Sequence, residues 1–186
     1  MTLDDRLNKI GSKLEDAAFL AGSGIGNEIG FYVFDYPPEE EPKVRDSVDM
    51  IKKHFSVANK PRIIEINLLD VMLDILKKRG VYDKVLDNET KWSMDVLKTK
   101  LSPLVRKDAV AARIAELAND DYDIVFITGV GSAYPLIRTH EVLNNLHDKL
   151  DTKPVVVFYP GKFTMQELLL FGVLDSNYYR AFRLID

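Results

Sequence analysis

Leu3, Leu7, Ile10, Leu14 and Ala17 recur at alternating spacings of four and three, which places them on one face of a helix with Thr2 as its N-cap. Glycines at positions 22, 24, 26 and 30 end that pattern and predict a turn. The aromatic and β-branched run at 30–36 then predicts a strand, stopped by Pro37 and Pro38. Val44, Val48, Ile51 and Phe55 form a second helical stripe, with Pro42 suited to its first turn and Lys52 and Lys53 near the negative end of the dipole. Residues 61–67 read as a strand, followed by a helix through Leu69, Met72, Leu73, Ile75 and Leu76 that Gly80 closes. Over 82–100 the pattern weakens into charged, short-period helix. Ser102 and Pro103 predict the cap and first position of a further helix running through Leu104 and Ile114 to Leu117, so 82–120 reads as a helical insertion or lid.

The nearly continuous apolar run at 123–128 marks a strand covered on both faces, hence a central one. Residues 129–132 turn it into a helix from about 135 to 147, and 154–159 give another buried strand with its own turn at Pro160 and Gly161. The pattern predicts a short helix over 163–171, closed by Gly172, and a final edge strand within 179–185. Strands alternating with helices imply a single α/β domain over 1–186. Its sheet is expected to be mostly parallel and Rossmann-like, with about five strands flanked by helices.

The chain has 186 residues, 46% hydrophobic and 29% charged, enough for a real core. Its net charge of -4 lacks the basic footprint of a protein that grips phosphate backbones. Direct nucleic-acid binding is therefore disfavoured, although Lys98, Lys100, Arg106, Lys107 and Arg113 form a modest local cluster. No apolar run reaches the roughly eighteen residues needed to cross a bilayer, and residues 1–20 suit an amphipathic helix better than a signal peptide. These features predict a soluble, cytoplasmic protein. With no cysteine, disulfides, thiolate zinc sites and cysteine nucleophiles are all excluded.

Among candidate chemistries, phosphate binding comes first, because a glycine turn between a buried strand and a helix can present free N–H groups to an anion. Gly129, Gly131 and Ser132 have that setting, and because a strand-to-helix turn commonly needs a positive φ, one is expected at Gly131. The dinucleotide fingerprint, however, needs a small residue where Tyr134 stands, and the P-loop lysine is absent, so a plain structural turn is favoured. The glycines at 22–26 precede a strand instead of following one and are weaker still. His140 and His147 share a helical face but are seven apart, whereas a chelating helical pair is four apart, and His54 lies elsewhere. Half-buried histidines on an apolar stripe are favoured over metal ligands. Glu39, Glu40 and Glu41 read as a solvated helix start. Ser132 lacks the GxSxG frame of a nucleophile elbow. A parallel sheet would gather Asp35, Asn67, Ser132, Arg138 and Lys162 at the carboxyl ends of its strands, where open sheets bind ligands, but a hydrogen-bonded rim is the more ordinary reading.

Four blocks carry a resemblance: 26–39 (GNEIGFYVFDYPPE); Thr128–Gly131 with Tyr134, Pro135, Arg138, His140 and 143–146; 158–161 (FYPG); and 177–182 (NYYRAF). Together they resemble the BrxB family of the bacteriophage exclusion (BREX) defence systems, over nearly the whole chain. The resemblance implies a small cytoplasmic component encoded beside a large ATPase, an adenine-specific DNA methyltransferase and PglZ, a protein with an alkaline-phosphatase-like domain. It implies no catalytic residue and no cofactor. The resulting expectation is a non-enzymatic adaptor that binds other BREX proteins, PglZ first, through a surface that includes Asp35, Gly129, Gly131, Ser132, Arg138, His140 and Lys162. The rival expectation is a nucleotide- or phosphate-responsive module with a degenerate phosphate loop at 129–132 and Arg138 as charge clamp.

Overall fold

The computed structural model describes residues 1–21, 30–119, 121–147, 149–150, 153–172, 174–178 and 181–186, the segment 174–178 by its backbone alone. The glycine run at 22–26 lies outside them, as do Tyr179 and Arg180.

Helix α1 (Leu3–Leu14) starts where the spacing places it, and Thr2 and Asp5 close a reciprocal capping box. A short α2 (Ala17–Leu20) is capped by Asp16. Strand β1 (Phe31–Tyr36) is buried throughout, and the proline pair leads into α3 (Glu41–Phe55). Strand β2 (Ile63–Asn67) passes directly into α4 (Leu68–Lys78), with Asn67 as its N-cap. Gly80, at φ +67, ends α4: its N–H donates to Lys77 O and that of Val81 to Leu76 O, a Schellman closure. Three helices follow, α5 (Tyr82–Glu89), α6 (Met94–Leu101) and α7 (Lys107–Leu117). Then come β3 (Ile124–Thr128), α8 (Val130–Ala133), α9 (Thr139–Leu146) and β4 (Val155–Phe163). Strands β5 (Glu167–Leu170), β6 (Leu174–Tyr178) and β7 (Phe182–Arg183) complete the chain.

The main path of the sheet runs β2-β3-β4-β1-β7 and is parallel throughout, while β5 and β6 extend β4 as an antiparallel arm. Alternate residues of each strand divide the core into two layers. Phe31, Val33, Ile66, Val125, Ile127, Val155 and Val157 face α4, α7 and α9. Tyr32, Phe34, Ile124, Phe126, Val156 and Phe158 face α1 and α3. The crossovers through β2, β3 and β4 pass over the first face, and the return from β1 to β2 over the second, so all turn with one hand.

The α/β class and the parallel sheet agree with the sequence pattern, but four local expectations need correction. Residues 163–171 are not a helix: β4 runs on to Phe163, past the supposed turn at Pro160 and Gly161, and β5 pairs back on it, Gly161 opposite Leu170. Leu168 and Leu170 bury one side of β5, a period of two that the continuous leucine run conceals. The helix expected from 135 begins at Thr139, because the segment after α8 makes a turn of its own through Leu136 and Ile137, whose N–H groups return to Ala133 O. The helix expected from Ser102 begins at Lys107, since Leu104 and Val105 donate to Leu101 O as the terminal turn of α6. Gly131, expected to need a positive φ, sits in α8 with an ordinary one, and Gly129 holds the left-handed conformation at φ +69.

Candidate functional site

The carboxyl ends of β2, β3, β4 and β1 line up as a crest carrying Asn67, Thr128, Tyr159 and Asp35, because the strands are parallel and in register. A crest of this kind is the usual ligand position in open α/β sheets. Here much of it is filled by the chain itself.

Asp35 is 7% exposed and accepts from three directions: Arg6 Nη2 at 2.7 Å, Arg183 Nη1 at 2.9 Å and the Phe163 N–H at 3.0 Å. Arg6 also donates to Asp35 O at 2.8 Å and lies over the Phe34 ring, while Arg183 donates to Phe163 O. One carboxylate therefore joins α1, β1, β4 and β7. A buried charge in that state is compensated and has a structural task.

The 129–132 turn is equally occupied. A Cβ on Gly129 would lie 2.1 Å from Asn67 Oδ1, the atom that accepts from Leu69 N to cap α4. Gly131 faces the Phe171 ring and Pro160, where a Cβ would meet carbon atoms at 3.2 and 3.3 Å. Ser132 is exposed on α8, a helix of four residues. The glycine turn thus accommodates close packing by its own neighbours.

The other expected residues lie in separate places. Arg138 is exposed and precedes α9 in a cleft with α6 and α7. His140 is half-buried with Nε2 3.9 Å from Glu141, and His147 packs its ring 4.2 Å from that of Phe31. His54 lies beside Lys60 and Phe55, so the three histidines do not converge, and no metal-holding cluster of carboxylates and histidines occurs among the described residues. Lys162 is exposed on the arm, opposite Leu169.

Sequence reasoning missed a polar network on the α3 side of the crest. Thr128 Oγ1 donates to Glu65 Oε1 at 2.7 Å, Glu65 pairs with Lys52, and Tyr36 Oη donates to Glu41 Oε2 at 2.5 Å. Burial first, and then the bond to Glu41, push the Tyr36 phenol far above its ordinary pKa. The space among these groups is only about 100 Å³. That is room for a few waters, at about 30 Å³ each. Glu65 within an otherwise apolar strand was the available signal.

Beside the exposed Lys162, Thr164 and Gln166, the arm also presents two large apolar side chains to solvent. Met165 and Phe171 are 49% and 40% exposed, and both hold left-handed backbone, φ 73 and 53, at the two ends of β5. The Tyr134 ring stands edge-on to Phe171, their centroids 6.1 Å apart. Non-glycine residues at positive φ are uncommon and collect at functional sites, because the strain must be compensated by the surrounding structure.

Comparison with known proteins fits this geometry into a family. The family model "BREX protein BrxB" matches residues 64–184. A "BREX protein BrxB" of Bacillus cereus (strain H3081.97) is 41% identical over 189 residues, covering 99% of this chain and 98% of that protein. Another from Escherichia coli O9:H4 (strain HS) is 37% identical over 188 residues, 98% of this chain and 92% of that protein. No solved structure matches the chain.

Proposed function

Because the chain belongs to the BrxB family, and so to the components of BREX phage-defence systems, we propose that its task there is that of a non-enzymatic adaptor, with PglZ as its first partner. The observation that carries this reading is the contrast at the crest. Its charged carboxylate and its glycine turn are committed to the fold, whereas the arm beside them turns Phe171 and Met165 outward, with the half-buried Tyr134 edge-on to Phe171. Aromatic and methionine side chains are enriched in interface cores, where a few of them carry most of the affinity. No helix among the described residues is long and apolar enough to cross a membrane.

The test is size-exclusion chromatography with each purified BREX protein at micromolar concentration. A complex with PglZ that weakens only modestly as salt rises is expected, because the contact is apolar. The double variant Phe171→Ser/Met165→Ser should weaken it by about thirtyfold, corresponding to the loss of about 2 kcal/mol typical of an anchor residue. No complex with any BREX protein, together with tight duplex binding that falls steeply with salt, would replace the adaptor by a DNA-contacting role. Hydrolysis of ATP or GTP above a heat-treated control, abolished by Arg138→Ala, would replace it by an enzyme.

A further inference from the structure

Away from the sheet, a cavity of about 320 Å³ opens between α6, the start of α7 and the segment 135–142. Small-molecule sites begin at about 300 Å³. Its rim carries Lys98 from α6, Arg106 and Lys107 from the start of α7, and Arg138 from the start of α9. Two carboxylates share the rim. Asp108 is paired with Arg106 at 3.1 Å, and Glu141 Oε1 lies 3.9 Å from His140 Nε2. Lys98 and Lys107 make no ion pair among the described residues. The floor is different in kind: Val105, Ile137 and Val142, each only 2–3% exposed.

Four cations against two carboxylates line this cleft, in a chain of net charge -4. These cations come from two stretches of the sequence, 98–107 and Arg138, and they surround one cavity. Guanidinium groups match phosphate oxygens in pairs and ammonium groups add point charge. The first turns of α7 and α9 line the same space, each with a carboxylate of its own, Asp108 and Glu141.

We propose that this cleft binds a small phosphorylated molecule, its phosphates on the Lys98–Lys107–Arg138 rim and a planar or apolar portion on the Val105–Ile137–Val142 floor. A nucleoside phosphate is the class that uses both. The site is distinct from the 129–132 turn and needs no partner surface, so it stands or falls separately from the adaptor reading.

Isothermal titration with ATP, with inorganic tripolyphosphate and with a hexaglutamate peptide tests it. Saturable binding of ATP is expected, severalfold tighter than tripolyphosphate, with hexaglutamate weakest. Lys98→Glu/Lys107→Glu, both at exposed positions, should weaken ATP binding at least tenfold while leaving the ligand-free melting temperature unchanged. Should that variant melt early, Lys107→Glu alone gives the same reading. Failure of ATP and tripolyphosphate to bind at millimolar concentration overturns the proposal, as does affinity that the charge reversal leaves intact. Equal affinity for ATP and tripolyphosphate removes the floor from the site. Hexaglutamate binding as tightly as tripolyphosphate makes the cleft a dock for acidic protein segments and overturns the small-molecule assignment.

Discussion

Replacing Asp35 by alanine should be among the most damaging single changes in the molecule. The carboxylate is 7% exposed and its two guanidinium partners, Arg6 and Arg183, have side chains 16% and 25% exposed. Truncation leaves two cations facing each other across a vacated site and strips the Phe163 N–H of its acceptor. Breaking a buried ion pair from one side costs about 3–5 kcal/mol, because the remaining charge has lost its compensation. At about 2–4 °C per kcal/mol for a chain of this length, the melting temperature should fall by something of the order of 10 °C. Asp35→Asn, which still accepts from Phe163 N but carries no charge, should fall between. Urea unfolding of the four species in a cycle of Asp35→Ala and Arg183→Ala measures the coupling directly, and a term above about 1 kcal/mol is expected for groups in contact. A loss below about 1 kcal/mol for Asp35→Ala, or strict additivity in the cycle, would refute the view that this carboxylate ties α1, β1, β4 and β7 together.

Three further outcomes concern the glycine turn and the Arg62–Asp123 pair. Gly129→Ala meets both a left-handed φ and the capping oxygen of Asn67, and should cost about 2–3 kcal/mol by thermal unfolding, the sum of a forced αL residue and a lost cap. Gly131→Ala meets only the Phe171 ring and Pro160 at 3.2–3.3 Å in an ordinary helical conformation; it should cost clearly less than Gly129→Ala, and the opposite order would contradict the assignment of strain to Gly129. Asp123 is held below its ordinary value of 3.8, first by the hydrogen bond from Arg62, so its contribution is present above that pH and lost as pH falls through the depressed value. Urea titrations of wild type and Asp123→Asn should therefore differ at pH 7 by at most about 1 kcal/mol, given an exposed pair, and converge as pH falls below the depressed value.

The regular parts of the fold were legible because each reports a local rule. The runs at 124–127 and 155–158 are apolar without interruption since both faces of β3 and β4 are covered, and Thr2 and Gly80 mark helix ends by capping chemistry that acts within a few residues. The arm was misread because Leu168, Leu169 and Leu170 are adjacent, so their composition hides that only alternate ones are buried. Gly161 held the missing signal: a Cβ there would come within 2.2 Å of Leu169 O, so the bare backbone lets β5 fold back on β4. Asp35 was marked as a candidate, but its role was beyond sequence reasoning. Its partners Arg6 and Arg183 stand 29 and 148 residues away, and no spacing rule joins them. For the same reason Arg138 was assigned to the glycine turn nearby in sequence, while the fold sets it across from α6 and α7.

The extension of β4 past the crest links these observations. In an open parallel sheet the strands end together and leave a crevice for a ligand. Here β4 continues through Gly161, Lys162 and Phe163, and the Phe163 N–H reaches back to Asp35. Arg183 on β7 then closes on both Asp35 and Phe163, while Phe171 at the far end of β5 lies against Gly131. The arm thereby covers part of the crevice, and the large apolar side chains facing water at its ends are Met165 and Phe171. A sheet whose crest is partly covered by its own strand can make contacts elsewhere. Two such positions among the described residues are the apolar ends of the arm and the cationic cleft beside α7, and their opposite chemistry means that salt strengthens the relative weight of the first and weakens the second.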